Sequence, residues 1–265
     1  MVFLLRKEKL VFMGLVTSAI VFYLLGPGFL PEKMLVAGAA SLPVLFGVFT
    51  LVAFNRVYSP LDAVSKEKRV WVLLLLGMGL WVFGEFLRVA QEVFLGAQLP
   101  YPSIADAFWL LGYPFLIAGL MLKTNYVVPK DRLTELNFAW FIASLLVIGG
   151  LSFGAPNVFS IDASNITKTL NLVYAMGDFM LFFSCILIAL FFSAEELRFN
   201  AQAFARSWVI MAMGFALIVI YDVLFAYLRS GNAYASGNPI DLTYVLGYGI
   251  VGLGAFMRSY LPEVE

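Results

Sequence analysis

Eight long apolar runs, joined by connections of at most about 15 residues, constrain this chain more than any other feature. They cover roughly 9–29, 33–55, 70–96, 103–123, 133–153, 170–193, 203–230 and 240–260. About 20 mostly apolar residues suffice to cross a bilayer as a helix. In hydrocarbon only helices and closed barrels satisfy their own backbone polar groups. Composition agrees: 62% of the 265 residues are hydrophobic and 13% are charged, far from the balance of a soluble domain. The reading is an all-α integral membrane protein, a single membrane domain over 1–265 with eight transmembrane helices. The first run is too long for a secretory signal and lacks a small-residue cleavage site, so it is taken as the first span.

The chain has no histidine and a formal net charge of zero. Without histidine there is no His-ligated haem and no His-rich zinc site; no metal and no cofactor are expected. Zero net charge implies no nucleic-acid partner. Cys185 is the only cysteine, so an intrachain disulfide is excluded. The centre of the last run has no lysine for a retinal Schiff base.

Lysine and arginine set the orientation. Of 17 basic residues, all but Lys33, Arg88, Lys168 and Arg229 fall in segments on one side. The positive-inside bias places both termini in the cytoplasm, as in a multi-pass protein of the cell membrane. Asn165-Ile166-Thr167, a glycosylation sequon, then lies outside.

Two stretches repeat. Ser103-Ile104-Ala105-Asp106 leads into Leu111-Gly112-Tyr113, and Asn238-Pro239-Ile240-Asp241 leads into Leu246-Gly247-Tyr248, an offset of 135 residues. Arg69-x-Trp71 with Gly77 matches Arg206-x-Trp208 with Gly214, an offset of 137, which puts Glu85 on Asp222. Asp178 falls on Ser41, where the halves have diverged. The expectation is two parallel four-helix repeats, about 9–123 and 133–260, with a site at their interface.

The acids divide into two groups. Ser103 and Asp106 have the form of a capping box, and Asn238 with Asp241 has the same form with proline at the first helical position. Helix starting explains these aspartates without a ligand. It does not explain Glu85, Asp178 or Asp222. Glu85 and Asp222 each follow a tryptophan by 14 residues, about 21 Å along a helix, deep in hydrocarbon. A charge there costs at least ~2.5 kcal/mol, so such groups face the bundle interior and mark a site by default. Helical spacing adds companions: Trp81, Glu85, Arg88 and Glu92; Asp106, Trp109 and Tyr113; Asn171, Tyr174 and Asp178; Asp222 and Arg229; Asp241, Tyr244 and Tyr248. These stripes outline an outward-facing acidic and aromatic cavity. The competing reading is a helix-orienting network, with Glu85–Arg88 and Asp222–Arg229 as local ion pairs and tyrosine hydroxyls on Asp178.

The run Pro102-Ser103-Ile104-Ala105-Asp106 through Leu111-Gly112-Tyr113-Pro114 resembles the multi-pass, sensor-like membrane module that precedes many bacterial diguanylate cyclases and some histidine kinases. Gly84-Glu85, Gly177-Asp178, Asp222 and Asp241 with Leu246-Gly247-Tyr248 are similar too, so the resemblance covers most of 35–260. It implies an integral sensor-like module. The chain ends at Glu265 with no cyclase or kinase following, so output is expected through a membrane or cytoplasmic protein partner. The cavity suits an organic cation or the head of an amphiphile, and no catalytic residue is assigned. Two alternatives stand beside this. One is a lipid hydrolase resembling the lysoplasmalogenase type, working through paired acids. The other is a cation- or proton-coupled transporter.

Overall fold

The computed structural model describes residues 6–96, 101–132, 134–135, 142, 164–194, 201–230 and 233–261. Among them no strand occurs, and seven long helices do. These are α1 (Arg6–Phe29), α2 (Glu32–Tyr58), α3 (Lys66–Val89), α4 (Ile104–Val127), α5 (Asn165–Ala194), α6 (Ala201–Ser230) and α7 (Asp241–Ser259). A π-helical turn, Ala90–Phe94, extends α3. The first six are long and apolar enough to cross a membrane. The shorter α7 packs mainly against α2 and α6. The expected span at 133–153 falls almost wholly outside the described residues.

Two helix starts have opposite outcomes. Ser103 and Asp106 form a complete capping box at α4, with Ser103 N–H donating to Asp106 Oδ2 at 2.6 Å. The capping box expected from Asn238 and Asp241 does not form. Asn238 Oδ1 accepts from Ile240 N at 3.1 Å, closing a local turn, and α7 begins only at Asp241, with Ile240 at its N-cap position. Asp241 instead reaches back to the N–H of Gly237 at 3.0 Å. Gly237 has φ +91°, a left-handed conformation that glycine adopts without steric penalty.

Two of the most extensive helix contacts are α3 on α4 and α6 on α7, and glycines line both. A Cβ on Gly77 would stand 2.8 Å from the carbonyl oxygen of Gly112, and one on Gly214 would stand 2.7 Å from that of Gly247. Such backbone approach is the usual way helices pack where lipid supplies no hydrophobic drive. Further along, Gly119 meets Leu74 and the Val70 carbonyl, while Gly254 meets Met211 and the Ser207 carbonyl. Elsewhere α2 packs on α7, where the Thr50 hydroxyl donates to the Tyr248 carbonyl at 2.7 Å, and α4 packs on α5.

Trp71 and Trp208 meet in the core with ring centres 6.1 Å apart, both fully buried. Beside them lies a buried ionic cluster. Glu67 takes Lys123 Nζ on one oxygen. Its other oxygen has Trp71 Nε1 at 3.3 Å and Arg258 Nη2 at 3.8 Å. Phe192 and Phe204 stack at 5.3 Å, with Lys123 over the first at 5.3 Å and Arg258 over the second at 4.6 Å.

Candidate functional site

The opposite end of the bundle, toward Asp106 and Asp241, holds a cavity of about 130 Å³. In size it is near the engineered apolar cavities of roughly 150 Å³ that admit a single ring-sized ligand. Its walls come from α3 with its π-helical extension, α4, α5, α6 and α7, with the loops before α4 and α7. Of the twelve residues the sequence nominated, Arg88, Glu92, Asp106, Trp109, Tyr113, Tyr174, Asp222 and Tyr244 line it. Glu85, Asp178, Asp241 and Tyr248 are not among its lining residues. They touch the wall or one another.

The acids are held chiefly by tyrosines. The Tyr244 hydroxyl donates to Glu85 Oε1 at 2.5 Å and lies 3.2 Å from the Tyr248 hydroxyl. The Tyr113 hydroxyl donates to Asp178 Oδ1. The Tyr174 hydroxyl donates to Asp106 Oδ1 at 2.7 Å, while Oδ2 takes both the N–H and the hydroxyl of Ser103. The Tyr234 hydroxyl donates to Asp241 Oδ1 at 2.9 Å. Tyr101 and Tyr234 lie outside the helices. Burial raises both phenols above their ordinary value, helped at Tyr101 by Asp106 and Asp222 and opposed at Tyr234 by Arg88.

The Glu85–Arg88 ion pair of the competing, helix-orienting reading gives way to another. Arg88 Nε bonds Glu92 Oε1 at 3.3 Å, one turn further along, and Glu92 also accepts from the Ser236 hydroxyl at 3.2 Å. The reason is reach: Glu85 is turned toward α7 by Tyr244, which leaves Arg88 to the carboxylate four residues on. Asp222 is held by another acid, its carboxyl hydrogen-bonded to that of Asp178. It is half-buried and lines the cavity, and the acids around it are Asp178, Glu85 and Asp106. Apart from that bond between the two acids, the second oxygens of Glu85 and Asp178 and the indole nitrogen of Trp109 are buried with no hydrogen-bond partner among the described residues.

Several wall residues were not nominated: Tyr101, Tyr221, Phe225, Tyr234 and Ser236. Tyr221 and Phe225 could have been found by extending the Asp222–Arg229 face one position back and filling its middle. Tyr101, Tyr234 and Ser236 sit in connections, where no helical period assigns a face. Tyr23 of α1 was also missed. It is wholly buried among Asp241, Arg88, Tyr234 and Glu85.

The arrangement can hold a small polar molecule between aromatic faces and charged groups of both signs. Among the described residues no group of histidine, cysteine and carboxylate side chains is placed to hold a metal ion. Compared with protein-family models, with curated proteins and with solved structures, the chain matches none.

Proposed function

We propose that the protein is a ligand-binding, sensor-like protein of the cell membrane, non-catalytic and acting through a protein partner. In this reading it crosses the bilayer eight times as two parallel four-helix repeats, with both termini cytoplasmic and the cavity opening outward. Support for the repeats comes from packing: Gly77 on Gly112 corresponds to Gly214 on Gly247 at the same offsets of 137 and 135 that the sequence displays. Support for the orientation is the basic bias alone, and support for the sensor role is the resemblance to the cyclase- and kinase-linked module.

The observation that carries the ligand is Asp222 on a wall of tyrosine, tryptophan and phenylalanine side chains. A carboxylate among aromatic faces suits an organic cation, free or as the head of an amphiphile, through charge pairing and cation–π contact. The test is calorimetric titration of the protein in nanodiscs with tetramethylammonium. Saturable binding that Asp222→Asn abolishes supports the reading, and no binding to the wild type rejects it.

One observation favours a second reading. The carboxyl groups of Asp178 and Asp222 are close enough to interact directly, as a general acid and base would in a lipid hydrolase resembling the lysoplasmalogenase type. Turnover of a lysolipid, lost in Asp222→Asn, would establish that reading instead.

A further inference from the structure

Asp178 of α5 is buried behind the cavity wall, and Asp222 of α6 lines the cavity. The Tyr113 hydroxyl occupies Asp178 Oδ1. Asp178 Oδ2 is buried and meets no N–H or hydroxyl donor among the described residues. The remaining partner of Asp178 is the carboxyl of Asp222. Ionised carboxylates are acceptors only, so a hydrogen bond between two of them requires a proton. The pair therefore holds one proton and one negative charge. Asp178 already accepts from Tyr113, and a carboxylate with two donors is the better home for the charge. The proton then sits on Asp222, and the cavity faces the neutral member of the pair.

The surroundings add acids and phenols from each neighbouring element. These are Glu85 on α3, Asp106 and Tyr113 on α4, Tyr174 on α5, Tyr248 on α7, and Tyr101 in the loop before α4. Of the arginines on the wall, Arg88 is bonded to Glu92, and Arg229 lies over Phe225 and Tyr101 at 5.7 and 5.5 Å. Two carboxyls in contact do not both ionise in such a place unless a positive charge joins them.

We propose that the cavity exchanges a proton for its ligand: an organic cation seats against Asp222 as the proton shared with Asp178 is released. The inference rests on the cation-binding reading above and adds its regulation. The Asp222 O–H bond breaks, its electron pair stays on the carboxylate, and the proton passes to water at the cavity mouth. The cation replaces the proton as the positive charge between two carboxylates, so the charge of the site is the same before and after. A unit charge at contact distance, at an effective dielectric near 20, alters proton affinity by roughly a thousandfold. Occupancy then rises with the pH of the compartment that the cavity faces.

The experiment is calorimetric titration of the wild-type protein in nanodiscs with tetramethylammonium, in two buffers of different ionisation enthalpy at the same pH. The difference in apparent enthalpy counts protons, and about one should be released per cation bound. Affinity should rise about tenfold per pH unit near neutrality. Infrared difference spectra should show the carbonyl band of a protonated carboxyl disappearing as the cation binds. Asp178→Asn replaces the shared proton with an amide N–H, since the new side chain still accepts from Tyr113 and can donate to an ionised Asp222. Its binding should release no proton and lose the pH dependence, which a merely structural role for Asp178 would not bring about. Proton release that persists in Asp178→Asn overturns the pair as its source. Saturable wild-type binding with no proton released and no pH dependence overturns the exchange and leaves the cation-binding cavity standing. That result needs no variant, so it holds even if Asp178→Asn fails to fold. Absence of binding at every pH overturns both.

Discussion

Trp71 and Trp208 occupy corresponding positions 137 residues apart, and their rings pack against each other at 6.1 Å. Under the proposed duplication, a residue that touches its own counterpart lies on the axis relating the halves. The α3–α4 and α6–α7 contacts then fall to either side, each closed by glycine against a carbonyl oxygen. This geometry makes the proposed duplication testable.

Gly77→Ala and Gly214→Ala should destabilise the protein by similar amounts, about 1–3 kcal/mol each, because an added methyl must push two backbones apart. Gly79 has nothing within 4 Å of a built Cβ, so Gly79→Ala should be neutral or slightly stabilising. Thermal unfolding in detergent or nanodiscs checks all three. A large difference between Gly77 and Gly214 would separate the two interfaces.

Glu67→Gln should be among the most disruptive polar changes. It leaves Lys123 and Arg258, both buried, facing each other without the carboxylate that bridges them. Breaking a buried ionic cluster on one side typically costs 3–5 kcal/mol. Pairing it with Lys123→Met removes one surplus charge and should recover part of the loss, read from the same unfolding midpoints.

Asp106 is a structural group first. Asn keeps one acceptor of the two that now serve Ser103 and Tyr174, so Asp106→Asn should cost roughly 1 kcal/mol. Tyr174→Phe should cost a similar amount. In a double-mutant cycle the two should couple by about 0.5–1.5 kcal/mol, the range of a contacting pair. Ligand affinity should change little in Asp106→Asn if the carboxylate only starts α4.

Topology is read by cysteine labelling. Cys185 is fully buried and gives no background. A cysteine at Ala233 should react with an impermeant maleimide from outside the cell, and one at the exposed Val64 should not. The reverse pattern would invert the orientation and turn the cavity toward the cytoplasm.

Much of this could be read from residues alone, and the failures have a common physical cause. Apolar run length predicts helices because hydrocarbon leaves the backbone no other partner. Helical period predicts faces, and Asp106, Trp109, Tyr113, Tyr174 and Asp222 line one cavity. Period does not say which neighbour a side chain selects across a helix gap. Glu85 chose Tyr244 of α7, and Arg88 therefore chose Glu92. Nor does it separate a cap from a near-copy: Ser103 caps α4, while Asn238 closes a turn of its own. Lys123 and Arg258 count as flanking basic residues in the sequence, yet both are buried on Glu67, because burial depends on helix length and tilt.

Tyr23 has a consequence for stoichiometry. Glu85, Glu92, Asp241 and Tyr248 correspond, at the same offsets, to Asp222, Arg229, Asp106 and Tyr113 around the cavity. Duplication would supply two such chambers. At the second, α1 delivers a buried phenol among Asp241, Arg88, Tyr234 and Glu85, so that seat is taken by the chain itself. On the proposed duplication and ligand-binding reading, one molecule binds per chain, not two, and the saturation curve should be hyperbolic.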